Sequence, residues 1–162
     1  MKTMPRQILF LCTGNYYRSR FAEIVFNELA KRAGIDYVAT SRALAIELGI
    51  FNFGNISTYT RRGLERRSIA LPEPVRRPMQ CDEADLQCAH RIIALKEAEH
   101  RRYLTERYPA WPDRVEYWHI HDLDQATPEQ ALAEIERNVI ALIEQLRTED
   151  AAGGSRESAE SS

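Results

Sequence analysis

Long apolar runs are missing from this chain. No stretch approaches the roughly 20 residues that a membrane-spanning helix needs, so no membrane association is expected. The first residues, MKTMPRQ, carry neither the apolar segment nor the cleavage site of a signal peptide, and a cytoplasmic protein is expected. Cysteine is scarce. Three in 162 residues cannot build a disulfide framework, and reduced thiols are expected. Aromatic residues do not interleave with basic ones, which argues against a nucleic-acid platform. Net charge is only −2 but is unevenly spread. Residues 1–80 hold 13 Lys and Arg against 6 Asp and Glu, and the remainder hold 9 against 18. The basic half can draw in anionic substrates through its field.

What is present is an ordinary globular composition and a regular alternation of patterns. Ile8 to Cys12 reads as a buried strand. Phe21, Ala22, Val25, Phe26 and Leu29 then share one helical face, with Gly34 as the stop. Tyr37 to Thr40 reads as a second strand. Ser57 or Thr58 caps a helix reaching about Ser68. Pro72, Pro74 and Pro78 break up the next stretch. A short helix over Asp82 to Ala89 leads to the strand Arg91 to Leu95, and Glu97 to Tyr108 reads as a helix. Val115 to Ile120 is the fourth predicted strand. Thr127, Pro128 and Gln130 open a last helix along Leu132, Ile135, Val139, Leu142 and Leu146. Residues 1–148 form one domain, and 149–162, without apolar pattern, are expected to be a disordered tail. The alternation predicts an α/β fold: a four-stranded parallel sheet with helices on both faces, binding ligands beyond the carboxyl ends of its strands.

One loop carries the chemistry. Cys12 ends the first strand and Arg18 opens the first helix, with Gly14 and Asn15 between them. Such a loop aims backbone N–H groups inward as an anion nest, and the helix dipole adds positive potential. Arg18 offers a planar fork for two phosphate oxygens. The same environment favours the thiolate of Cys12, to which Ser19 can donate a hydrogen bond. A thiolate in an oxyanion cradle can attack phosphorus. Asp122 or Asp124, after the last strand, can then protonate the leaving oxygen and later activate water.

Cys12-Thr13-Gly14-Asn15-Tyr16-Tyr17-Arg18-Ser19 resembles the signature loop of the low-molecular-weight protein tyrosine phosphatases, C-[T/L]-G-N-x-x-R-S. Cys81 to Leu104 and Trp118 to Leu146 are also similar to that family, whereas Ala43 to Pro78 match poorly. The resemblance implies a flavodoxin-like fold and metal-free, cofactor-free hydrolysis of phosphomonoesters, phosphotyrosine above all. Its implied substrates are phosphorylated proteins or small aryl phosphates, and a monomer is expected. By position, Cys12 is the nucleophile, Arg18 the phosphate clamp and Asp122 the general acid. Thr13, Gly14, Asn15, Tyr16, Tyr17 and Ser19 form the phosphate-binding loop. Departures are specific. Leu123 stands for the proline that usually follows the acid, and Gln125-Ala126 for aromatic residues beyond it. Tyr17 replaces a second loop cysteine. Tyr16 occupies a position held by an aliphatic residue or, in phosphoarginine-specific relatives, threonine.

Other readings compete. Cys81 and Cys88 have a spacing similar to that of thiol-dependent arsenate reductases, but i and i+7 on one helix lie about 10 Å apart, too far to bridge. Phosphoarginine phosphatase and an inactive phosphopeptide-binding module are further alternatives. His119 and His121 face one side of their strand without a third ligand, so no metal site is expected. Phe51, Phe53 and Tyr59 are expected in the core, with the cleft wall as the alternative.

Overall fold

The computed structural model describes residues 4–160, with side-chain surroundings up to residue 153. Strand β1 (Arg6–Cys12) is followed by α1 (Arg18–Ala33), β2 (Tyr37–Ala43), α2 (Thr58–Arg66), α3 (Glu83–Cys88), β3 (Arg91–Ala94), α4 (Glu97–Arg107), β4 (Glu116–Tyr117) and α5 (Pro128–Glu160). The sheet is parallel throughout, in the order β2-β1-β3-β4. No helix among the described residues is long and apolar enough to cross a membrane.

Strand alternation divides the core into two layers. Ile8, Phe10 and Cys12 point to one face, where they pack with Phe21, Val25, Leu132, Ile135 and Val139 of α1 and α5. Leu9 and Leu11 point to the other, against Leu86, Tyr103 and Leu104 of α3 and α4. The three-layer α/β architecture expected from the sequence is the one observed. Because β1 is flanked by β2 and β3, the chain leaves it in one direction and returns on the other side. That topological switch opens a crevice beyond the carboxyl ends of β1 and β3, the place where such sheets bind ligands.

Local signals account for three of the helix ends. Gly34 terminates α1 in the left-handed region, φ 69°, which a residue without Cβ adopts freely. Ser57 caps α2 through its side chain. Thr127 and Gln130 form a reciprocal capping box ahead of α5, with bonds of 3.0 and 3.2 Å. Thr127 is exposed at this end, so water competes for both bonds and the box contributes at the lower end of the usual 0.5–2 kcal/mol, about 0.5 kcal/mol.

Four expectations need correction. β2 runs on to Ala43 because its register with β1 extends to the pair Cys12–Ala43. β4 shrinks to Glu116–Tyr117. The residues after it stay tied to the sheet through Trp118 N–H to Ala94 O and Ile120 N–H to Leu95 O, both 2.8–2.9 Å, but leave regular pairing at this edge. The helix α5 continues through Glu160, where the sequence predicts a disordered tail from 149. Glu149, Ala151 and Ala152 extend an existing helix without a new nucleus, and Asp150 pairs with Arg6 at 2.5 Å; the glycines at 153 and 154 have no helix preference, and their place in the helix has no local explanation. Residues 161–162 of that expected tail lie outside the described residues. Phe51 and Phe53 are 95% and 93% exposed, not core residues.

Candidate active site

Five loop residues connect the end of β1 to the start of α1. Asn15 supplies the left-handed turn they need, φ 53°, a conformation its short polar side chain tolerates. At Gly14 a side chain would meet only ordinary contacts. A Cβ placed there would stand 3.4 Å from Asn52 Nδ2 and 3.8 Å from the Gly49 Cα. Tyr17 caps α1 without a side-chain bond, and the first turn holds no acidic residue. Among the described residues, the backbone N–H groups of Gly14, Asn15, Tyr16 and Tyr17 donate to no protein acceptor. The loop is thus a cluster of free donors at a helix N-terminus.

Behind the loop lies a buried polar scaffold. Asn15 Nδ2 donates to Ser19 Oγ and Ser41 Oγ, each at 2.9 Å. Asn15 Oδ1 accepts from Arg76 Nη1 and the Met79 N–H, each at 3.1 Å. Since Ser19 Oγ already accepts from Asn15, its own hydrogen is available to Cys12 Sγ, 2.9 Å away. Cys12 is 3% exposed.

Arg18 is fixed on nearly every side. Nη1 donates to Glu99 Oε2 and to the Ile120 carbonyl, both at 2.9 Å. Nη2 donates to Glu99 Oε1 at 2.9 Å and approaches Asp122 Oδ2 at 3.4 Å. Nε is buried and has no hydrogen-bond partner among the described residues. A buried guanidinium donor left unsatisfied is costly, so this N–H is available to an acceptor that enters the site. Burial opposes the charge of Arg18, but Glu99, Cys12 and Asp122 outweigh it and raise its pKa above the ordinary value.

The Asp122 carboxylate also accepts from the Leu123 N–H at 2.8 Å. A proline at 123 could not make that bond, so Leu123 gains an orienting contact where it loses ring rigidity. Asp124 lines the same cavity without touching Arg18. The cavity, about 690 Å³, is lined by Cys12, Thr13, Gly14, Tyr16, Tyr17 and Arg18, and by Asp122 across the opening. The side chains of Asn15 and Ser19, grouped with the phosphate-binding residues from sequence, act behind the loop and do not line it. Tyr16 donates to the Phe53 carbonyl at 2.6 Å and so anchors the exposed 50–54 segment to the cavity rim. Tyr17 is 8% exposed, and burial pushes its phenol up to about 12. Tyr59, placed in the core from sequence, is partly exposed and lines the cavity.

The family model for low molecular weight phosphotyrosine protein phosphatases matches residues 7–152. The chain belongs to this family. Among solved structures, a low molecular weight protein tyrosine phosphatase from T. tengcongensis is 25% identical, with a TM-score of 0.73, covering 86% of this chain and 99% of that one. YfkJ from Bacillus subtilis is 22% identical, with a TM-score of 0.76 and coverage of 92% and 99%. The arginine phosphatase YwlE from Geobacillus stearothermophilus is 22% identical, with a TM-score of 0.71 and coverage of 91% and 97%. A comparison with curated protein sequences gives no match.

Two cysteines of this phosphatase sit apart from the loop. The sequence places both in one helix, but Cys81 precedes α3, and Cys88 ends the helix in solvent. Burial pushes the Cys81 thiol up to about 12. A thiol held protonated makes a poor redox relay.

Sequence reasoning missed Glu99, His100 and Arg76. Glu99 and His100 occupy the first turn of α4, one turn beyond a strand that ends at the crevice. That position was the available signal. His100 is fully buried, and burial lowers its pKa to about 3, helped by Arg18 and opposed by Glu99. The ring is neutral in the folded protein. Its Nδ1 accepts from the Lys96 N–H at 3.0 Å, leaving Nε2 to donate to Thr13 Oγ1 at 3.2 Å. Unfolding frees this ring to take a proton below about pH 6.5. Stability should therefore fall as pH drops from 6.5 toward 3, with a slope approaching about 1.4 kcal/mol per pH unit. Denaturant unfolding between pH 7 and 5 should show a flatter slope in His100→Gln; an unchanged slope would mean that His100 does not titrate on unfolding.

Proposed function

We propose that this phosphatase hydrolyses phosphotyrosine in proteins and small aryl phosphates through a cysteinyl-phosphate intermediate on Cys12, without a metal. The observation that carries the reading is that Cys12, Arg18, Asp122 and the loop residues Thr13, Gly14, Tyr16 and Tyr17 line one cavity, with loop N–H groups and an Arg18 Nε that have no partner among the described residues. In the first step Cys12 Sγ forms a bond to phosphorus as the ester P–O bond breaks. Asp122, as the carboxylic acid, gives its proton to the departing tyrosine oxygen. In the second step Asp122, now a carboxylate, takes a proton from water. That water attacks phosphorus, the P–S bond breaks, and inorganic phosphate leaves with the thiolate restored. Arg18 and the loop N–H groups balance the charge that develops on the equatorial oxygens.

Tyr16, Tyr17 and Tyr59 line the cavity, and aromatic walls suit a flat phenyl ring. Phosphotyrosine, phosphoserine and phosphoarginine peptides compared under one set of conditions test this. Phosphotyrosine should be turned over fastest, with a phosphocysteine detectable by mass spectrometry after acid quench. A preference for phosphoarginine would reassign the substrate, and absence of any phosphocysteine would refute the covalent step.

A further inference from the structure

Glu99 takes no part in the steps above, yet it accepts more hydrogen bonds from the clamp than any other residue. Its carboxylate receives three hydrogen bonds, from Arg18 Nη1 and Nη2, each at 2.9 Å, and from Thr13 Oγ1 at 2.7 Å. Thr13 can donate to Glu99 because its oxygen accepts from His100 Nε2 at 3.2 Å. The order His100 to Thr13 to Glu99 to Arg18 joins α4, the loop and α1 across the crevice. Burial would raise the Glu99 pKa, but the bonds and charge of Arg18 hold it at about 2. Glu99 is thus a fixed anion at any pH at which the protein works.

The geometry of the guanidinium decides what remains for substrate. Glu99 occupies the end-on fork formed by one hydrogen of each terminal nitrogen. The second hydrogen of Nη1 goes to the Ile120 carbonyl. Of the side edge, Nε alone lacks an acceptor, and the outer hydrogen of Nη2 is held by Asp122 Oδ2 in a long bond of 3.4 Å that a phosphoryl oxygen can replace. A phosphoryl group held there places its leaving oxygen next to the acid.

We propose that Glu99 is a positioning residue for Arg18, turning the guanidinium so that its Nε–Nη2 edge holds the phosphoryl group beside Asp122. The proposal rests on the reading of Cys12, Arg18 and Asp122 given above. The rival role is opposite in sign: a carboxylate that competes with phosphate for the arginine. Removing a competitor tightens phosphate binding, whereas removing a positioning group weakens it and slows the chemistry.

The test uses the full chain as wild type, Glu99→Gln and Glu99→Asp. It reads kcat and KM for p-nitrophenyl phosphate, and the Kd of inorganic phosphate by calorimetry. Glu99→Gln should lower kcat by about 10²-fold, the size of a small misplacement of a catalytic group, and weaken phosphate binding. Glu99→Asp keeps the charge but shortens the reach, and should lose kcat by an intermediate factor. Wild-type kcat in either variant, or tighter phosphate binding in Glu99→Gln, would overturn the proposal. Thermal melting identifies a variant that fails to fold, and if Glu99→Gln does so the charge-retaining Glu99→Asp decides. A wild-type protein without aryl phosphatase activity would sink the mechanism instead; the phosphate Kd values of wild type and variant would then still decide whether Glu99 orients Arg18.

Discussion

Cys12→Ser should abolish turnover of aryl phosphates, by on the order of 10⁴-fold or more, while inorganic phosphate still binds within about threefold. The two halves of this expectation have separate physical origins. Binding belongs to the loop N–H groups and to Arg18, whose anchors on Glu99 and Ile120 do not involve Cys12. Turnover needs an anionic nucleophile. Ser19 can donate one hydrogen bond at this position, but an alcohol is a far weaker acid than a thiol and gives a far poorer nucleophile here. Serine also fits the site by volume, so the fold should be kept. A stopped assay with p-nitrophenyl phosphate and a phosphate titration on the same sample measure both halves. Full activity in Cys12→Ser would remove the covalent mechanism altogether.

Asp122→Asn should slow phosphotyrosine hydrolysis by about 10²–10⁴-fold, the usual range of a general acid, and Asp124→Asn by no more than about threefold. Asp122 is held at the mouth by the Leu123 N–H and by Arg18, whereas Asp124 lines the same cavity without a hydrogen bond to Arg18. The loss should depend on the leaving group. Phenols of high pKa need the proton most, so they should suffer most, and a highly acidic nitrophenol should lose least. A series of substituted aryl phosphates therefore separates loss of proton donation from loss of binding. Should Asp124→Asn show the large effect instead, the acid is Asp124.

Some of this was legible in local pattern. Ile8 to Cys12 is apolar without interruption because β1 is central and buried on both faces. The Thr127-Pro128-Gln130 and Gly34 signals mark helix ends because their chemistry is complete within a few residues. β4 was overestimated for the opposite reason. Its β-branched and aromatic residues fit a strand, but at the sheet edge they are needed to swing Ile120 and Asp122 into the crevice. Phe51 and Phe53 look like core residues and are exposed, since the segment that carries them is fixed by Tyr16 at the rim and by no apolar partner.

By itself the sequence determined the alternating α/β plan and the loop from Cys12 to Ser19, because strand burial, the left-handed turn at Asn15 and the start of α1 are short-range properties of the chain. Only the tertiary structure decided what surrounds Arg18. Glu99 lies 81 residues away and Asp122 lies 104 away, and no local rule brings either to the loop. The parallel order β2-β1-β3-β4 does so, by opening the crevice at β1 and β3 and setting the first turn of α4 and the end of β4 on its two sides.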